Sequence, residues 1–379
     1  MATLRPLPVP AGPEVVSLLP VLESVLTGRG APLLPVPAHD EREKVLLTTS
    51  LRVDEAIDDD VAVVVPTSGT TGAPKGAMLT AAALTASATA THRRLGGPGR
   101  WLLALPAHHI AGLQVLTRSV LAGTTPVVEF DVAGLPAAVA ALGTGPRYAA
   151  LVAAQLAKAL ESTPAALALS ELDAVLIGGG SLPTPLAEKA SAAGIPVVRS
   201  YGMSETAGGC VYDGVPLDGV RVRIDDGRIV LGGATLAKGY RNPPDPDPFA
   251  EPGWFRSDDA GGLDASGVLT VYGRLDDAIS TGGLTVLPQQ VEAVLNRHPS
   301  VAACAVFGVP DERLGQRVAA AIVLAPHSSE PTLAALRDHV AAVLDRTAAP
   351  RELHFVDVLP TLGIGKVDRR ALRRRFESG

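Results

Sequence analysis

Short runs of apolar residues alternate with longer Ala-rich stretches through the first half of the chain. The runs are rich in Val, Ile and Leu and show no strict alternation of apolar and polar positions, which is typical of strands buried on both faces of a sheet. The stretches between them favour helices. We therefore predict an α/β protein with a parallel or mixed sheet covered by helices. The predicted strands lie in VAVVV, RWLLALP, TPVVEF, RYAALV, DAVLIGGG and GIPVVRSYG.

The pattern changes after Gly208, where short strands and turns follow one another. The segment VRVRIDDGRIVLGG carries an Asp-Gly hairpin signal at Asp226 and Gly227. The segment RNPPDPDPFAEPG, from Arg241 to Gly253, is too rich in proline for a helix or a central strand, so we predict an exposed loop there. A β-rich subdomain is expected in this part of the chain.

A separate pattern begins near residue 276. About a hundred residues with their own strands and amphipathic helices can bury a core of their own. We therefore predict a large domain of residues 1–275, made of layered α/β subdomains and the β-rich subdomain, and a small α+β domain of residues 276–379. The small domain's predicted elements are the helix LPQQVEAVLNRH with Pro288 at its start, the strands VAACAVFGV, RVAAAIVL and RELHFVDVLP, and the helix TLAALRDHVAAVL.

Composition narrows the class of protein. The chain has 379 residues, and 33 Lys plus Arg against 39 Asp plus Glu give a net charge of −6, so no general attraction to nucleic acid is expected. The basic cluster RRALRRR, from Arg369 to Arg375, is predicted to be a solvated helix face rather than a nucleic-acid site. Cys210 and Cys304 lack the spacing of a zinc site and are predicted to be free thiols. Without a signal peptide or a membrane span, a cytoplasmic protein is expected.

The segment TSGTTGAPKGAM, from Thr67 to Met78, follows the predicted strand VAVVV. A glycine-rich loop after a buried strand turns backbone N–H groups toward one point, and hydroxyls and a lysine add donors and a positive charge for phosphate. The loop lacks the Gly-Lys-Ser/Thr sequence of the common nucleotide P-loop, because Lys75 follows a proline and precedes a glycine. A flexible surface turn is the alternative. The lysine and the buried strand favour phosphate binding.

This loop resembles the phosphate loop of the adenylate-forming superfamily, which includes acyl- and aryl-CoA synthetases, adenylation domains of peptide synthetases and beetle luciferases. Further segments are similar to that family's motifs and stand in the same order. The resemblance implies a large domain hinged to a small mobile one, with ATP, Mg²⁺ and CoA as co-substrates and no tightly bound prosthetic group. The segments are LIGGG (Leu176 to Gly180), SYGMSET (Ser200 to Thr206), GWFRSDDAG (Gly253 to Gly261), GRLDDAISTGG (Gly273 to Gly283) and LPTLGIGKVDRRAL (Leu359 to Leu372).

The resemblance also implies roles for individual residues. Catalysis would rest on Lys366, Lys75 and Glu205, with Glu205 as a ligand of Mg²⁺. Two simpler alternatives stay open, because residues 204–206 could be a helix cap and Lys366 a surface charge. ATP or AMP would be bound by the phosphate loop, the adenine face of Tyr201 and the ribose ligands Asp259 and Arg274. The full set of nucleotide-binding residues is Thr67, Ser68, Gly69, Thr70, Thr71, Gly72, Gly179, Gly180, Ser200, Tyr201, Gly202, Thr206, Asp259 and Arg274.

Other positions would serve the acyl group, CoA and the domain movement. The acyl pocket would include His109, which matches the family's gate segment more closely than His108, together with Ser204, Gly208 and Gly209. Asp276 would be the hinge between the domains. Gly282 and Gly283 would border the tunnel for the pantetheine arm of CoA. The chain departs from the family at Ser257-Asp258, where Thr-Gly is usual, so either Asp258 or Asp259 could be the ribose ligand, and the alignment favours Asp259.

Two segments, LIGGGSLPTPLAEKA and SYGMSETAGGCVYDGVPLDGVRVRI, closely resemble o-succinylbenzoate-CoA ligases of menaquinone biosynthesis, especially a short actinobacterial form. Thr67 comes early for the superfamily, so an abbreviated N-terminal subdomain is expected. The resemblance implies ATP-dependent activation of the succinyl carboxylate and its transfer to CoA, by an enzyme that could be a homodimer. The alternatives are another aryl- or acyl-CoA synthetase, a free-standing adenylation enzyme that loads a carrier protein, and a catalytically silent nucleotide-binding module.

Overall fold

The computed structural model describes residues 1–67, 74–362 and 366–376. Within these ranges the α-helices alternate with strands through the first two hundred residues, as the apolar pattern predicts. Short 3₁₀ turns lie at Pro13–Leu18, Val132–Gly134, Ser204–Thr206 and Arg346–Ala348. The helices are Leu19–Leu26, Glu41–Ser50, Ala81–Arg94, Ile110–Ala122, Leu135–Ala141, Ala153–Leu160, Thr163–Ser170, Thr184–Ala192, Pro288–Leu295, Leu333–Ala341 and Arg369–Phe376.

The first sheet holds the strand that leads into the phosphate loop. Val61–Val65 is buried along its whole length, as predicted, and runs parallel to the N-terminal strands. The chain returns after the loop as Ala77–Thr80, which pairs antiparallel with Val61–Val65. The loop therefore joins two adjacent strands, an arrangement that the sequence pattern did not predict. In order across the sheet the strands are Gly239–Tyr240, Ala77–Thr80, Val61–Val65, Leu33–Pro37 and Arg5–Val9, and a small ladder pairs Ala2–Thr3 with Ala56–Ile57.

The second sheet is mixed, which confirms the predicted fold class. Its inner strands are parallel, and at one edge Gly208–Tyr212 pairs antiparallel with both of its neighbours. Successive residues of one strand enter different hydrophobic cores: Leu176 packs into one core and Val175 into the other, so both faces are covered. In order across the sheet the strands are Val215–Pro216, Gly208–Tyr212, Val197–Met203, Ala174–Gly178, Arg147–Val152, Arg100–Leu103 and Val127–Val128.

The β-rich part is an antiparallel sheet. Asp226 and Gly227 form its first hairpin turn with φ of 50° and 78°, the left-handed pair that the Asp-Gly signal predicts. Residues 241–253 form neither helix nor strand, also as predicted, but they are not wholly exposed. Phe249 packs against Tyr240 and Phe255 with ring centroids 5.3 and 4.8 Å apart. The strands in order are Val220–Asp225, Arg228–Gly233, Trp254–Leu263 and Leu269–Arg274.

The C-terminal part contains the predicted helices and strands together with a short hairpin that was not predicted. Its main core draws every buried side chain from residues 279–349, as a self-contained unit would, although the boundary at residue 276 stays a prediction. The strands are Ile279–Thr281, Leu284–Val286, Val301–Asp311, Gly315–Leu324 and Glu352–Phe355, and the ladder Thr361–Leu362 with Lys366–Val367 precedes the last helix.

The basic segment forms the helix Arg369–Phe376 with a solvated face, as predicted, but its other face is packed. Arg370, Arg374 and Arg375 are exposed, but Leu372 is fully buried and the Arg369 side chain is only 13% exposed. The helix is therefore a packed element with one solvated face. Cys210 and Cys304 are buried free cysteines, as expected. In the described ranges, no helix is long and apolar enough to cross a membrane.

Candidate active site

Asp259 lies inside the protein and is held by a neighbouring tyrosine. Its residue is 8% exposed, and its carboxylate accepts a hydrogen bond of 2.8 Å from the Tyr201 hydroxyl. Its backbone N–H donates to Ser257 Oγ at 3.2 Å, and Ser257 in turn donates to the Ile229 carbonyl at 2.7 Å. Burial raises the pKa of Asp259, and the Tyr201 hydrogen bond opposes that rise. The carboxylate is thus a buried, oriented hydrogen-bond acceptor.

The structure separates the two neighbouring aspartates. Along an extended strand successive side chains point to opposite faces. Ser257 is fully buried, whereas Asp258 is half exposed and forms ion pairs of 3.2 Å with Arg228 and 3.7 Å with Arg274. The residue that departs from the family pattern therefore faces outward, and Asp259 is the carboxylate that lies beside Tyr201.

Arg274 joins Asp259 to the predicted hinge. Its guanidinium donates to both carboxylate oxygens of Asp276, at 2.7 and 2.6 Å, and its Nη1 lies 3.7 Å from Asp259 Oδ1. These hydrogen bonds raise the pKa of Arg274. Burial alone would raise the pKa of Asp276, but the hydrogen bonds and charge of Arg274 outweigh it and hold that pKa below its ordinary value. Both groups are therefore charged at neutral pH, and the predicted ribose ligands are tied to the predicted hinge residue.

A second group of side chains surrounds Glu205, in the 3₁₀ turn Ser204–Thr206. Glu205 is 7% exposed and accepts a hydrogen bond from the Tyr240 hydroxyl. The ring of Tyr240 lies 4.9 Å from the Lys75 ammonium. Burial, and then the charge of Glu205, raise the pKa of Tyr240, so its hydroxyl stays a donor. One tyrosine thus contacts both predicted catalytic residues.

Strand pairing explains why these residues meet. Tyr240 pairs with Ala77, two residues beyond Lys75, and the backbone N–H of Asn242 donates to the Lys75 carbonyl at 2.9 Å. The Ala237 N–H donates to the Glu205 carbonyl at 2.8 Å. The segment 237–242 therefore holds the end of the phosphate loop against the Glu205 turn.

The surroundings of Glu205 fit a magnesium ligand. No Lys, Arg or His forms an ion pair with its carboxylate in the described parts of the chain, and those parts contain no group of three or more side chains that could hold a metal by themselves. Mg²⁺ is usually bound by one or two carboxylates together with substrate phosphates. A single buried carboxylate, fixed by Tyr240 and without a cationic partner, suits that mode of binding.

The turn after Glu205 is closed by Thr206. Its hydroxyl accepts from the Met203 N–H at 3.0 Å and donates to the Gly208 carbonyl at 2.7 Å, which is the capping arrangement that the sequence left open for this residue. A Cβ on Gly202 would lie 2.1 Å from the Gly208 carbonyl oxygen. Close approach of the chain's own neighbouring strand therefore already requires the glycine at position 202.

The helix Ile110–Ala122 begins beside the predicted acyl pocket. His109 is its N-cap residue, and its ring centroid lies 4.3 Å from that of His108. Burial, and then the charge of His109, lower the pKa of His108 to about 4, so it is neutral at pH 7. Gln114 donates to the Ala207 carbonyl at 2.8 Å and is buried against Gly208. The helix that begins at His109 is thereby fixed to the Glu205 turn.

One turn after Gln114 lies a residue that the sequence reasoning missed. Arg118 is 3% exposed, and its Nε has no hydrogen-bond partner among the described residues. Burial lowers its pKa, and within the described ranges no Asp or Glu forms an ion pair with it. Its guanidinium lies 4.7 Å from the ring centroid of Trp101. The signal was a single arginine in the otherwise uncharged helix IAGLQVLTRSVLA.

Comparison with known proteins places this geometry in a family. The AMP-binding enzyme family model matches residues 12–241, and the model of the AMP-binding enzyme C-terminal domain matches residues 290–366. The chain belongs to the AMP-binding enzyme family.

Individual AMP-binding enzymes show how far the similarity extends. A protein of Mycobacterium tuberculosis (strain CDC 1551 / Oshkosh) named probable 2-succinylbenzoate–CoA ligase is 66% identical over 381 residues, 98% of each chain. A feruloyl-CoA synthase of an Amycolatopsis species is 33% identical over 94% of this chain and 82% of its own. The solved structure of the o-succinylbenzoate CoA synthetase of Bacillus subtilis, in complex with its acyl-adenylate intermediate, matches with a TM-score of 0.75 and 28% identity over 95% of this chain and 82% of its own.

The remaining predicted site residues of this AMP-binding enzyme occupy several places. Thr67 ends the described segment before the loop, and its Oγ1 is buried without a partner in the described residues. The predictions for Ser68, Gly69, Thr70, Thr71 and Gly72 fall outside the described residues. Lys366 pairs through its backbone with Leu362, and its side chain is not described.

The remaining predicted site glycines lie in two places, after a strand of the second sheet and in a hairpin turn. Gly179 and Gly180 are exposed just after the strand Ala174–Gly178, and the neighbouring parallel strand carries Ser200. Gly282 and Gly283 form the two-residue turn of the hairpin Ile279–Val286, with φ of 59° and 81°. These left-handed conformations by themselves favour glycine at the turn, and the role of the pair at a pantetheine tunnel stays a prediction.

Proposed function

We propose that the chain is an acid–thiol ligase that joins 2-succinylbenzoate to CoA with ATP, through an acyl-adenylate. The observation that carries this proposal is the near-full-length similarity to a 2-succinylbenzoate–CoA ligase. Two groups of contacts support it, Tyr201 with Asp259 and Tyr240 with Glu205 and Lys75. ATP would lie across these two groups, with its ribose at Asp259 and its phosphates between Glu205 and Lys75. Arg274 would contact the ribose from the hinge side.

The first half-reaction needs positive charge at the phosphates. The succinyl carboxylate attacks the α-phosphate of ATP, and pyrophosphate leaves, so catalysis depends on positioning and charge neutralisation. Lys75 would stabilise the departing pyrophosphate, and Lys366 would lie between the acyl carboxylate and the α-phosphate. Glu205 would hold Mg²⁺, which supplies further positive charge to the phosphates when bound.

The second half-reaction uses different groups. The CoA thiolate attacks the carbonyl carbon of the acyl-adenylate, the bond to phosphate oxygen breaks, and AMP leaves. Lys366 has no role in this step. The small domain would rotate about Asp276 between the two steps, which removes Lys366 and brings Gly282 and Gly283 to the pantetheine path.

Arg118 suits the second carboxylate of the substrate. A buried arginine without a carboxylate partner is costly, so its retention in the core favours an anionic ligand. Arg118 lies one helical turn from Gln114, which is buried against the Gly208 side of the turn after Glu205. The Thr206 hydroxyl is already engaged within that turn. The ring carboxylate of 2-succinylbenzoate would therefore be bound by Arg118, with Ser204, Gly209 and His109 lining the acyl pocket.

A competition experiment tests the proposed activity. The protein is incubated with ATP, Mg²⁺, CoA and a mixture of 2-succinylbenzoate, ferulate, benzoate and a medium-chain fatty acid, and the CoA thioesters are identified by mass spectrometry. The expected result is that 2-succinylbenzoyl-CoA dominates. Another dominant thioester would make the chain a different acyl-CoA synthetase, AMP without thioester would indicate a carrier protein as acceptor, and no AMP would indicate a silent nucleotide-binding module. A cytoplasmic location and a homodimer stay predictions, and sedimentation velocity tests the second.

A further inference from the structure

Arg369 lies three residues after Lys366 and connects three separate parts of the small domain. Its Nη2 donates to both oxygens of Glu292, at 2.6 and 2.8 Å, and its Nε donates to the Val306 carbonyl at 3.1 Å. Its Nη1 donates to Asp277, the residue after the predicted hinge, at 3.3 Å. One largely buried guanidinium therefore joins the last helix to a helix, a strand and the hinge segment.

The contacts of Arg369 differ in how firmly they are held. Glu292 is 8% exposed and also accepts a hydrogen bond of 2.7 Å from the Val306 N–H. The Arg369–Glu292 pair is therefore part of the domain's core, where breaking it would leave an uncompensated buried charge. Asp277 is more exposed, at 28% of its side chain, and its contact is longer. The hinge contact is the one that can be broken without unfolding the core.

Two adjacent carboxylates at the hinge have partners on different sides. Asp276 binds Arg274, which belongs to the large domain's last strand and lies beside Asp259. Asp277 binds Arg369, next to the segment that carries Lys366. A rotation of the backbone between these carboxylates changes their relative direction, so the hinge lies between an ion pair that reaches the large domain and an ion pair within the small domain.

The segment from Lys366 to Arg369 is short and fixed at both ends. Its strand pairs with Thr361–Leu362, and the Asp368 N–H donates to the Pro360 carbonyl at 2.8 Å. The Asp368 carboxylate caps the last helix by accepting from the Ala371 N–H at 2.9 Å. A displacement of Arg369 should therefore also move the backbone of Lys366.

We propose that Arg369 is a positioning residue for Lys366, and that its ion pair with Asp277 couples the hinge to the placement of that lysine for adenylation. The inference rests on the proposed function, because it assigns Lys366 to the first half-reaction alone. It goes further in naming a contact by which the hinge controls that step. An ion pair that only stabilised the small domain would affect both half-reactions alike.

The test compares Asp277→Asn with Glu352→Gln. Glu352 forms a closer carboxylate pair with Arg317, at 2.7 Å, and also contacts His354 at 2.9 Å, elsewhere in the same domain. Adenylation is measured by exchange of pyrophosphate into ATP with 2-succinylbenzoate, and the second step by thioester formation from preformed acyl-adenylate. Asp277→Asn should lower the maximal exchange rate about fivefold, the size expected for a partly exposed ion pair, with KM for ATP, the thioester step and the melting temperature unchanged. Glu352→Gln should change neither step.

Contrary results would show whether the role of Arg369 or the proposed ligase activity is wrong. Equal losses in both steps, or no loss in either, would overturn the role of Arg369 while wild-type exchange showed the ligase activity intact. Absence of exchange by the wild-type protein with 2-succinylbenzoate would remove the proposed function and this inference together. Arg369→Lys, which keeps the charge and loses the multiple hydrogen bonds, should lower exchange at least as much as Asp277→Asn; full exchange by this variant would also overturn the inference.

Discussion

The hydroxyl of Tyr240 donates a hydrogen bond to the buried carboxylate of Glu205. The same ring faces the ammonium of Lys75, at 4.9 Å from its centroid. A charge-assisted hydrogen bond fixes the direction of a carboxylate. When the carboxylate is a metal ligand, such a hydrogen-bond partner orients it toward the metal. Tyr240 therefore sets the geometry of the two groups that would face the phosphates of ATP.

Removing that hydroxyl should weaken the use of magnesium. Tyr240→Phe keeps the ring beneath Lys75 and removes only the hydrogen bond, so the Mg²⁺ concentration for half-maximal pyrophosphate exchange should rise about tenfold. Titration of the exchange reaction with MgCl₂ measures the change. Tyr148→Phe is the control, because that hydroxyl donates to the Leu95 carbonyl at 3.0 Å, outside both groups of site residues. An unaltered magnesium requirement in Tyr240→Phe would show that Glu205 does not depend on its tyrosine.

Neutralising Asp259 should lower kcat/KM for ATP much more than neutralising Asp258. Asp259→Asn alters the buried acceptor beside Tyr201 and should lower kcat/KM for ATP by about 10- to 100-fold, the loss expected for a buried hydrogen bond to a charged group. Asp258→Asn removes the charge of a half-exposed carboxylate that pairs with Arg228 and, at 3.7 Å, with Arg274, and should change kcat/KM for ATP less than about threefold. Initial rates over a range of ATP concentrations measure both. A larger loss in Asp258→Asn would reverse the assignment of the ribose ligand.

The buried strands could be predicted from the sequence because a strand buried on both faces is a continuous run of Val, Ile and Leu. The pairing of Gly239–Tyr240 with Ala77–Thr80 has no such sequence pattern, since it depends on register between segments about 160 residues apart. Tyr240 was therefore missed, although the motifs carrying Lys75 and Glu205 were both found. Arg118 was missed because a single charge in a helix is usually solvated, and only the packing of neighbouring elements shows that it is buried.

Arg118 should discriminate between acids that differ only in the ring carboxylate. Arg118→Gln should raise KM for 2-succinylbenzoate by about 30-fold or more, because a buried ionic contact to the substrate is lost. The rate with 4-oxo-4-phenylbutanoate, which lacks the ring carboxylate, should change little, and KM for ATP should stay the same. Thioester formation with each acid measures the difference. An equal fall for both acids would indicate that the arginine serves the fold rather than the substrate.

Stability should fall in mild acid because of a buried histidine. His92 is 6% exposed, and burial, followed by the charge of Arg118, lowers its pKa from 6.5 to about 4. Between pH 6.5 and about pH 4 the His92 imidazole is therefore protonated in the unfolded chain and neutral in the folded chain. The stability that neutral His92 contributes is fully present above pH 6.5 and is lost as the pH falls toward 4. At pH 5 the free energy of unfolding should be lower by about 2 kcal/mol. Melting temperatures at pH 7 and pH 5 measure it.

A variant at this position supplies the control. His92→Gln should reduce the drop in melting temperature between pH 7 and pH 5, whereas His327→Asn, at an exposed position, should leave it as in the wild-type protein. An identical drop in all three proteins would place the acid sensitivity in other groups.

In the proposed mechanism Lys366 acts in the first half-reaction and has no role in the second. In adenylation negative charge gathers between the acyl carboxylate and the α-phosphate, and removal of a group that stabilises such charge commonly costs 10²- to 10³-fold. Lys366→Ala should therefore lower pyrophosphate exchange by about that factor. The thioester step expels AMP without a new phosphate bond, so the same variant, given preformed acyl-adenylate, should form thioester at close to the wild-type rate. Equal loss in both steps would mean that one arrangement of the domains serves both reactions, and that Asp276 is not a pivot between two.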